Sequence, residues 1–238
     1  MIKIFRAATL GRSDLGWLQS WFHFSFADYH DPKRIQFGAL RVINDDLIAP
    51  QTGFDTHGHR DMEIISYVID GSLTHADSMG NQRTLTRGHV QYMSAGTGVR
   101  HSEHNQGSET SRLLQIWILP DRAGYAPNYG DHEFDWAARE DKWLHLVSPE
   151  FGGAPVKIHQ DANFHVTALS AGGTTRFEVY PGRQAYAVLI EGEAQINGET
   201  LKERDGLESV GTSLDISSAS GAHLLVIEMA AGPAMARA

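Results

Sequence analysis

The sequence predicts an all-β protein of the barrel or sandwich kind, and three observations predict it. Short runs rich in Val, Ile, Leu and aromatic residues are punctuated at close intervals by Gly, Asn, Asp and Pro. Asp70-Gly71 and Asn197-Gly198 stand between extended runs, and such pairs favour tight hairpins. Finally, Ser66-Tyr-Val-Ile-Asp-Gly71 is echoed by Ala187-Val-Leu-Ile-Glu-Gly192, each followed by a hairpin and then by a glycine, Gly88 and Gly206. A repeat of that length implies a duplicated domain rather than a solenoid.

Taken in order, residues 1–50 mix turns with aromatic segments such as Leu18-Gln-Ser-Trp-Phe-His-Phe-Ser-Phe26. Phe37-Gly-Ala-Leu-Arg-Val-Ile43 reads as a buried strand that ends in a polar turn, Asn44-Asp45-Asp46. Strands follow at Glu63–Val68 and Leu73–Ala76, with Met79-Gly80-Asn81 as the next turn. Leu113-Leu-Gln-Ile-Trp-Ile-Leu119 closes the first half, stopped by Pro120, which has no ladder donor. Residues 121–143 change character and read as an irregular connector with one helical turn around Trp136 to Arg139. The second half resumes the β style from Arg176 to Met229, and a small, polar tail is expected to fray. The expected organisation is a metal-binding domain over 1–125, a connector over 126–143 and a metal-free domain over 144–238.

Composition narrows the function. A net charge of -9, with 20 Lys and Arg scattered rather than clustered, argues against a nucleic-acid surface. No apolar run reaches the ~20 residues that cross a bilayer, and the N-terminus lacks an apolar signal segment, so a soluble cytoplasmic protein is expected. The absence of cysteine removes disulfides, thiolate nucleophiles, iron–sulfur clusters and zinc fingers together. A metal here is held by imidazole and carboxylate, donors that suit Fe(II), Mn, Co, Ni, Cu or Zn.

Such donors occur as two spaced pairs, His57 and His59, then His101 and Glu103. On a strand, residues i and i+2 share a face with Cα atoms roughly 6.6–7 Å apart, so each pair converges; on a helix both would splay. Two such strands side by side can bring four donors to one ion at about 2.0–2.2 Å. One His-x-His among 13 histidines is unremarkable by itself, but two pairs with equal spacing and a hairpin-rich stretch between them are not. His75, His89 and His104 are read as non-ligands, His104 because it faces away from Glu103. Glu63 is a fifth donor only if a bulge turns it inward. Gln115, polar inside an apolar strand, is a candidate partner for the ligands. Phe24, Phe26, Phe37, Tyr92 and Trp117 are read as core first and as walls for a flat ligand second. In the second half Ala219 and Gly221 stand where the offsets from Gly88 give His101 and Glu103, hence the metal-free expectation.

Gly53 to Gly71 and Gly88 to Asn105 resemble the two motifs of the cupin superfamily. Phe37-Gly-Ala-Leu-Arg-Val-Ile-Asn-Asp-Asp46, His59-Arg-Asp-Met-Glu-Ile65, Asp77-Ser-Met-Gly-Asn81 and Gln91-Tyr-Met-Ser-Ala-Gly-Thr-Gly98 resemble the pirin family closely, over about residues 12–120. Val156-Lys-Ile-His-Gln-Asp161 carries a weaker likeness to that family's C-terminal cupin. The resemblance implies a bicupin of two facing jelly-roll barrels, with one divalent metal, usually iron, in the first barrel on His57, His59, His101 and Glu103. Two departures stand out: Gly58 occupies a position often proline in pirins, and Phe22, with His23 beside it, replaces a usual histidine.

Four protein ligands leave about two open positions on a six-coordinate metal. The resemblance implies quercetin 2,3-dioxygenase activity, in which a flavonol bound through its 3-oxygen meets O2 and opens with loss of carbon monoxide to give a depside. Glu103 is then the candidate general base as well as a ligand. A second reading is a non-enzymatic, iron-binding regulatory protein of pirin type, told apart by a partner that responds to iron oxidation state without turnover. A third, a zinc or manganese isomerase or hydrolase, would be indifferent to oxygen. The expected partners are a flavonol and O2, with neither nucleic acid nor membrane, and two fused modules suit a monomer.

Overall fold

The computed structural model describes residues 2–232, so the tail expected to fray lies outside the described residues. In chain order the strands are β1 (Ile2–Phe5), β2 (Gly11–Asp14), β3 (Leu18–Phe22), β4 (Leu40–Ile48), β5 (Thr52–His59), β6 (Glu63–Asp70), β7 (Ser72–Asp77), β8 (Gln82–Thr86), β9 (Val90–Ser94), β10 (Val99–Asn105), β11 (Ser111–Ile118), β12 (Asn128–His132), β13 (Leu144–Pro149), β14 (Val156–Ile158), β15 (Ala162–Leu169), β16 (Thr174–Phe177), β17 (Arg183–Ile196), β18 (Glu199–Lys202), β19 (Gly206–Val210), β20 (Leu214–Ser217) and β21 (Ala222–Ala230). Two single turns of 3-10 helix, Ala7–Thr9 and Trp136–Arg139, are the helical elements among the described residues, the second where the sequence predicts one. No helix there is long and apolar enough to cross a membrane.

The described residues form two compact units. The N-terminal unit holds 11–134 and 158–160; the C-terminal unit holds 2–10, 135–157 and 161–232. The first ten residues thus belong with the later unit, because β1 pairs antiparallel with β19. The connector is not wholly irregular either. Its Asn-Tyr-Gly-Asp-His segment has little strand propensity, yet β12 pairs antiparallel with β9 from Asn128↔Ser94 to His132↔Val90, a case of tertiary pairing overriding local preference.

The N-terminal unit is a jelly-roll sandwich. One sheet has the order β12-β9-β6-β11-β4-β3-β2 and the other β5-β10-β7-β8. Asp70-Gly71 is not the hairpin turn its composition suggests: β6 and β7 lie in different sheets, and Gly71, at φ 69°, is the corner where the chain crosses. Only glycine fits, since a Cβ would lie 2.9 Å from Ser111 Cα. Asn197-Gly198 does make the predicted two-residue hairpin, with φ of 51° and 85° at a β17–β18 turn.

Asn44-Asp45-Asp46 is not a turn. It continues β4 as far as Ile48, with all three side chains buried. Asp45 is held there by Arg112, whose Nε and Nη2 donate to its two carboxylate oxygens at 3.0 and 2.6 Å. Asn44 and Asp46 face the other way, into the sandwich.

In the C-terminal unit β17 plays both roles of β6 and β7. It pairs with β19 and β21, breaks register between Leu189 and Glu191, passes Gly192 at φ 82°, and then pairs with β18 and β20. Among the described residues an apolar cluster runs from Leu169 and Phe177 through Ala187 and Leu207 to Val226.

Candidate metal centre

β5 and β10 run antiparallel with Val99 opposite His59 and His101 opposite His57. Strand alternation points His101 and Glu103 inward, each 2% exposed, between the outward Arg100, Ser102 and His104. The register slips between His101 and Glu103, so that Phe54 rather than Asp55 pairs with Glu103, and the extra residue of the bulge lies on β5. Gly53 lets the strands approach at this point: a Cβ there would stand 2.3 Å from the Glu103 carbonyl oxygen.

Three imidazoles meet as a result. Ring centroids are 4.6 Å apart for His57–His101, 4.8 Å for His57–His59 and 5.0 Å for His59–His101. One nitrogen from each lies within 4.8 Å of the others.

Hydrogen bonds decide which nitrogens are available. His57 Nδ1 lies 2.7 Å from the Asp55 carbonyl, which can only accept, so Nδ1 carries the proton and Nε2 keeps a lone pair. His75 Nε2 donates to the Asp77 carboxylate at 3.1 Å, which leaves His75 Nδ1 to accept from His101 Nδ1 at 3.4 Å. His101 Nε2 is therefore the lone-pair nitrogen, and it is buried with no partner among the described residues. Burial, then the neighbouring rings His57 and His75, push His101 down to about 3; burial with His101 and His57 pushes His59 down to about 4. Both rings are neutral at pH 7, the state that binds metal. This donor set fits a divalent transition ion.

The second pair is split. Glu103 groups with His101 and His75 rather than with all three converging rings. Its Oε1 accepts from Ser66 Oγ at 2.9 Å and Gln91 Nε2 at 2.5 Å, and its Oε2 from Gln115 Nε2 at 2.7 Å. A carboxylate has about four lone-pair directions, so roughly one remains for an ion or a proton. The three donors come from one cross-strand row of the larger sheet, in which Gln115 pairs with Asn44 and with Ser66, and Ser66 with Gln91.

The remaining candidates fall on both sides of the expectation. His75 makes no direct claim on an ion because both of its nitrogens are engaged, yet it fixes His101, a role the sequence reading did not assign. The signal was present, as His75 and Asp77 share the i, i+2 spacing of the ligand pairs. His104 lies outside, 3.5 Å from Asp55, and His89 bonds to Thr86. Glu63 faces away, accepting from Ser94 Oγ at 2.7 Å and the His159 backbone N–H at 3.2 Å. Phe22 is buried on the cavity wall, whereas His23 points elsewhere and is lowered to about 3 by burial and the Arg34 charge.

The three rings open on a cavity of about 590 Å³ within the N-terminal unit. Trp17, Phe22, Phe26, Phe54 and Trp117 wall it, and Asn44 and Asp46 face it from β4. Of the five aromatics named from sequence, Phe26 and Trp117 line this space; Phe24, Phe37 and Tyr92 do not. Trp117 packs edge-on against both His59, at 5.0 Å, and Phe26, at 5.4 Å. Burial lifts the Asp46 carboxyl to about 7, with a Ser20 hydrogen bond opposing and the charges of Asp45 and Glu103 adding to the rise.

Comparison with known proteins agrees with this architecture. The Pirin family model matches residues 5–118 and the quercetinase C-terminal cupin domain matches 145–229, which makes the chain a bicupin. The quercetin 2,3-dioxygenase of Escherichia coli K12 is 43% identical over 208 residues, 87% of this chain and 89% of that protein. A pirin-like protein of Caulobacter vibrioides is 44% identical, covering 93% of this chain and 96% of its own length. Among solved structures, Escherichia coli YhhW superposes with a TM-score of 0.91 at 38% identity over 100% of both chains. The same bacterial pirin in complex with nickel(II) gives 0.90, over 97% of this chain and 99% of that one.

Proposed function

The chain belongs to the pirin family, and from that premise we propose that it is a quercetin 2,3-dioxygenase-type enzyme that cleaves flavonols with O2. The observation that carries this reading is the juxtaposition of three converging imidazoles with an aromatic-walled cavity of about 590 Å³, a size suited to one flat, drug-sized ligand. We assign His57, His59 and His101, with Glu103, to a single divalent ion, Fe(II) in the first instance. When bound, that ion supplies Lewis acidity toward the flavonol 3-oxygen.

The chain's own residues do the rest. Trp117, Phe26 and Phe54 line the cavity and offer apolar faces to the flavonol rings. Glu103 has one lone-pair direction beyond its three hydrogen bonds, so it receives the 3-hydroxyl proton or holds the ion, not both at once. Both atoms of O2 enter the depside, and the carbon bearing the 3-oxygen leaves with it as carbon monoxide. The reading is tested by loading the protein with Fe(II) anaerobically and then adding quercetin and O2. Equal consumption of O2 and quercetin with matching carbon monoxide is expected; binding without carbon monoxide refutes the assignment.

A further inference from the structure

Asn44 and Asp46 are 3% and 2% exposed and face the cavity from β4, two residues apart on one side of the strand. Asn44 Oδ1, Asp46 Oδ1 and Trp117 Nε1 are all buried without a hydrogen-bond partner among the described residues. Their neighbours are engaged elsewhere. Gln115, Ser66 and Gln91, which share the cross-strand row with Asn44, all spend a donor on Glu103, and Asp45, on the opposite face, is held by Arg112. Asn44 is thus the one member of the row not turned to Glu103, and Asp46 sits one step along the same face.

Buried polar atoms left unpaired are costly, and here two acceptors and one donor recur on one wall of a ligand-sized space. The candidate metal ligands reach that space from β5 and β10, in the other sheet. A flat molecule between them meets the imidazoles from one side and this polar wall from the other. Residues i and i+2 of a strand are about 6.6–7 Å apart at Cα, so the two acceptors serve two hydroxyls rather than one.

We propose that Asn44 and Asp46 form a subsite for the substrate's ring hydroxyl groups remote from the imidazoles, with the Trp117 indole N–H as a third contact to a ring oxygen. This rests on the flavonol reading but is tested apart from it. The nickel-loaded protein is titrated without O2 with quercetin and with 3-hydroxyflavone, which lacks the additional ring hydroxyls. The wild type binds quercetin about 10- to 100-fold more tightly, as two net hydrogen bonds allow. Asn44→Ala with Asp46→Ala narrows that preference to less than about threefold at unchanged nickel content. If the pair fails to fold, Asn44→Val alone, nearly constant in volume, lowers the preference about three- to tenfold. Equal binding of both compounds by the wild type, no binding of quercetin, or a preference that survives the substitutions overturns the subsite. A preference that disappears as expected while the Fe(II) protein releases no carbon monoxide removes only the dioxygenase reading.

Discussion

Across the larger sheet of the N-terminal unit, one row of paired residues reads Asn44, Gln115, Ser66, Gln91; across the corresponding strands of the C-terminal unit it reads His165, Val226, Ala187, Leu207. The corner glycines align the two, since Ser66 stands five residues before Gly71 and Ala187 five before Gly192. The strand path is the same and, His165 apart, the filling is opposite. Among the described residues, Ala187, Leu207 and Val226 of the C-terminal row join one apolar cluster, whereas in the N-terminal unit apolar clusters gather around Leu73 and around Met93 and the polar row belongs to neither. The topology by itself therefore makes no site. The row does, because it secures a buried carboxylate beside the imidazoles.

The comparison can be broken most severely at His101. His101→Ala is expected to take metal content to background by elemental analysis, well beyond the roughly 10- to 100-fold cost of losing an outer hydrogen bond, with the circular dichroism of the fold retained. Converting the polar row to its apolar counterpart by Ser66→Ala, Gln91→Leu and Gln115→Val leaves Glu103 buried and unpaired. Urea unfolding of the metal-free protein should show a loss of about 3–5 kcal/mol, and adding Glu103→Leu should recover most of it. A loss that persists would mean the row is needed for shape and not for the carboxylate.

A smaller effect is expected one layer out. His75→Phe preserves the stacking on Tyr129, now 4.5 Å between centroids, but cuts the link from His101 to Asp77. Metal affinity measured against a competing chelator should fall about 10- to 100-fold with little change in melting temperature.

The smallest effect lies in the C-terminal unit, where His165 stacks on His145 at 4.2 Å. Burial, then His145, lowers His165 from 6.5 to about 3. The unfolded chain takes up this proton first, so the stability tied to the neutral ring is complete above pH 6.5 and is lost as pH falls toward 3. His165→Leu should reduce the loss of stability of the metal-free protein between pH 7 and pH 5 by at most about 2 kcal/mol in urea titrations.

Much of this was legible in the sequence where a side chain's role follows from its neighbours along one strand. The i, i+2 pairs His57/His59 and His101/Glu103 declared a shared face, and Gln115 declared itself by being polar among Leu114, Ile116 and Trp117. What depends on pairing between distant strands was not legible. Asn44-Asp45-Asp46 has the composition of a turn, and only Arg112 and the cavity explain why it is buried strand. Asp70-Gly71 has the composition of a hairpin, and only the sheet assignment reveals a corner. Ser66 and Gln91 carry no signal of their own, since their meaning arises from a carboxylate on another strand.

Gly53 has a further consequence for how such a protein changes over time. With the Glu103 carbonyl only 2.3 Å from where a Cβ would begin, the spacing of the donor strands is set by main chain against main chain. Phe26 and Trp117, elsewhere around the cavity, stand outside those two strands. Descendants can exchange those walls for new guests while the anchor stays where it is, so the same framework can be inherited by lineages with unlike chemistries.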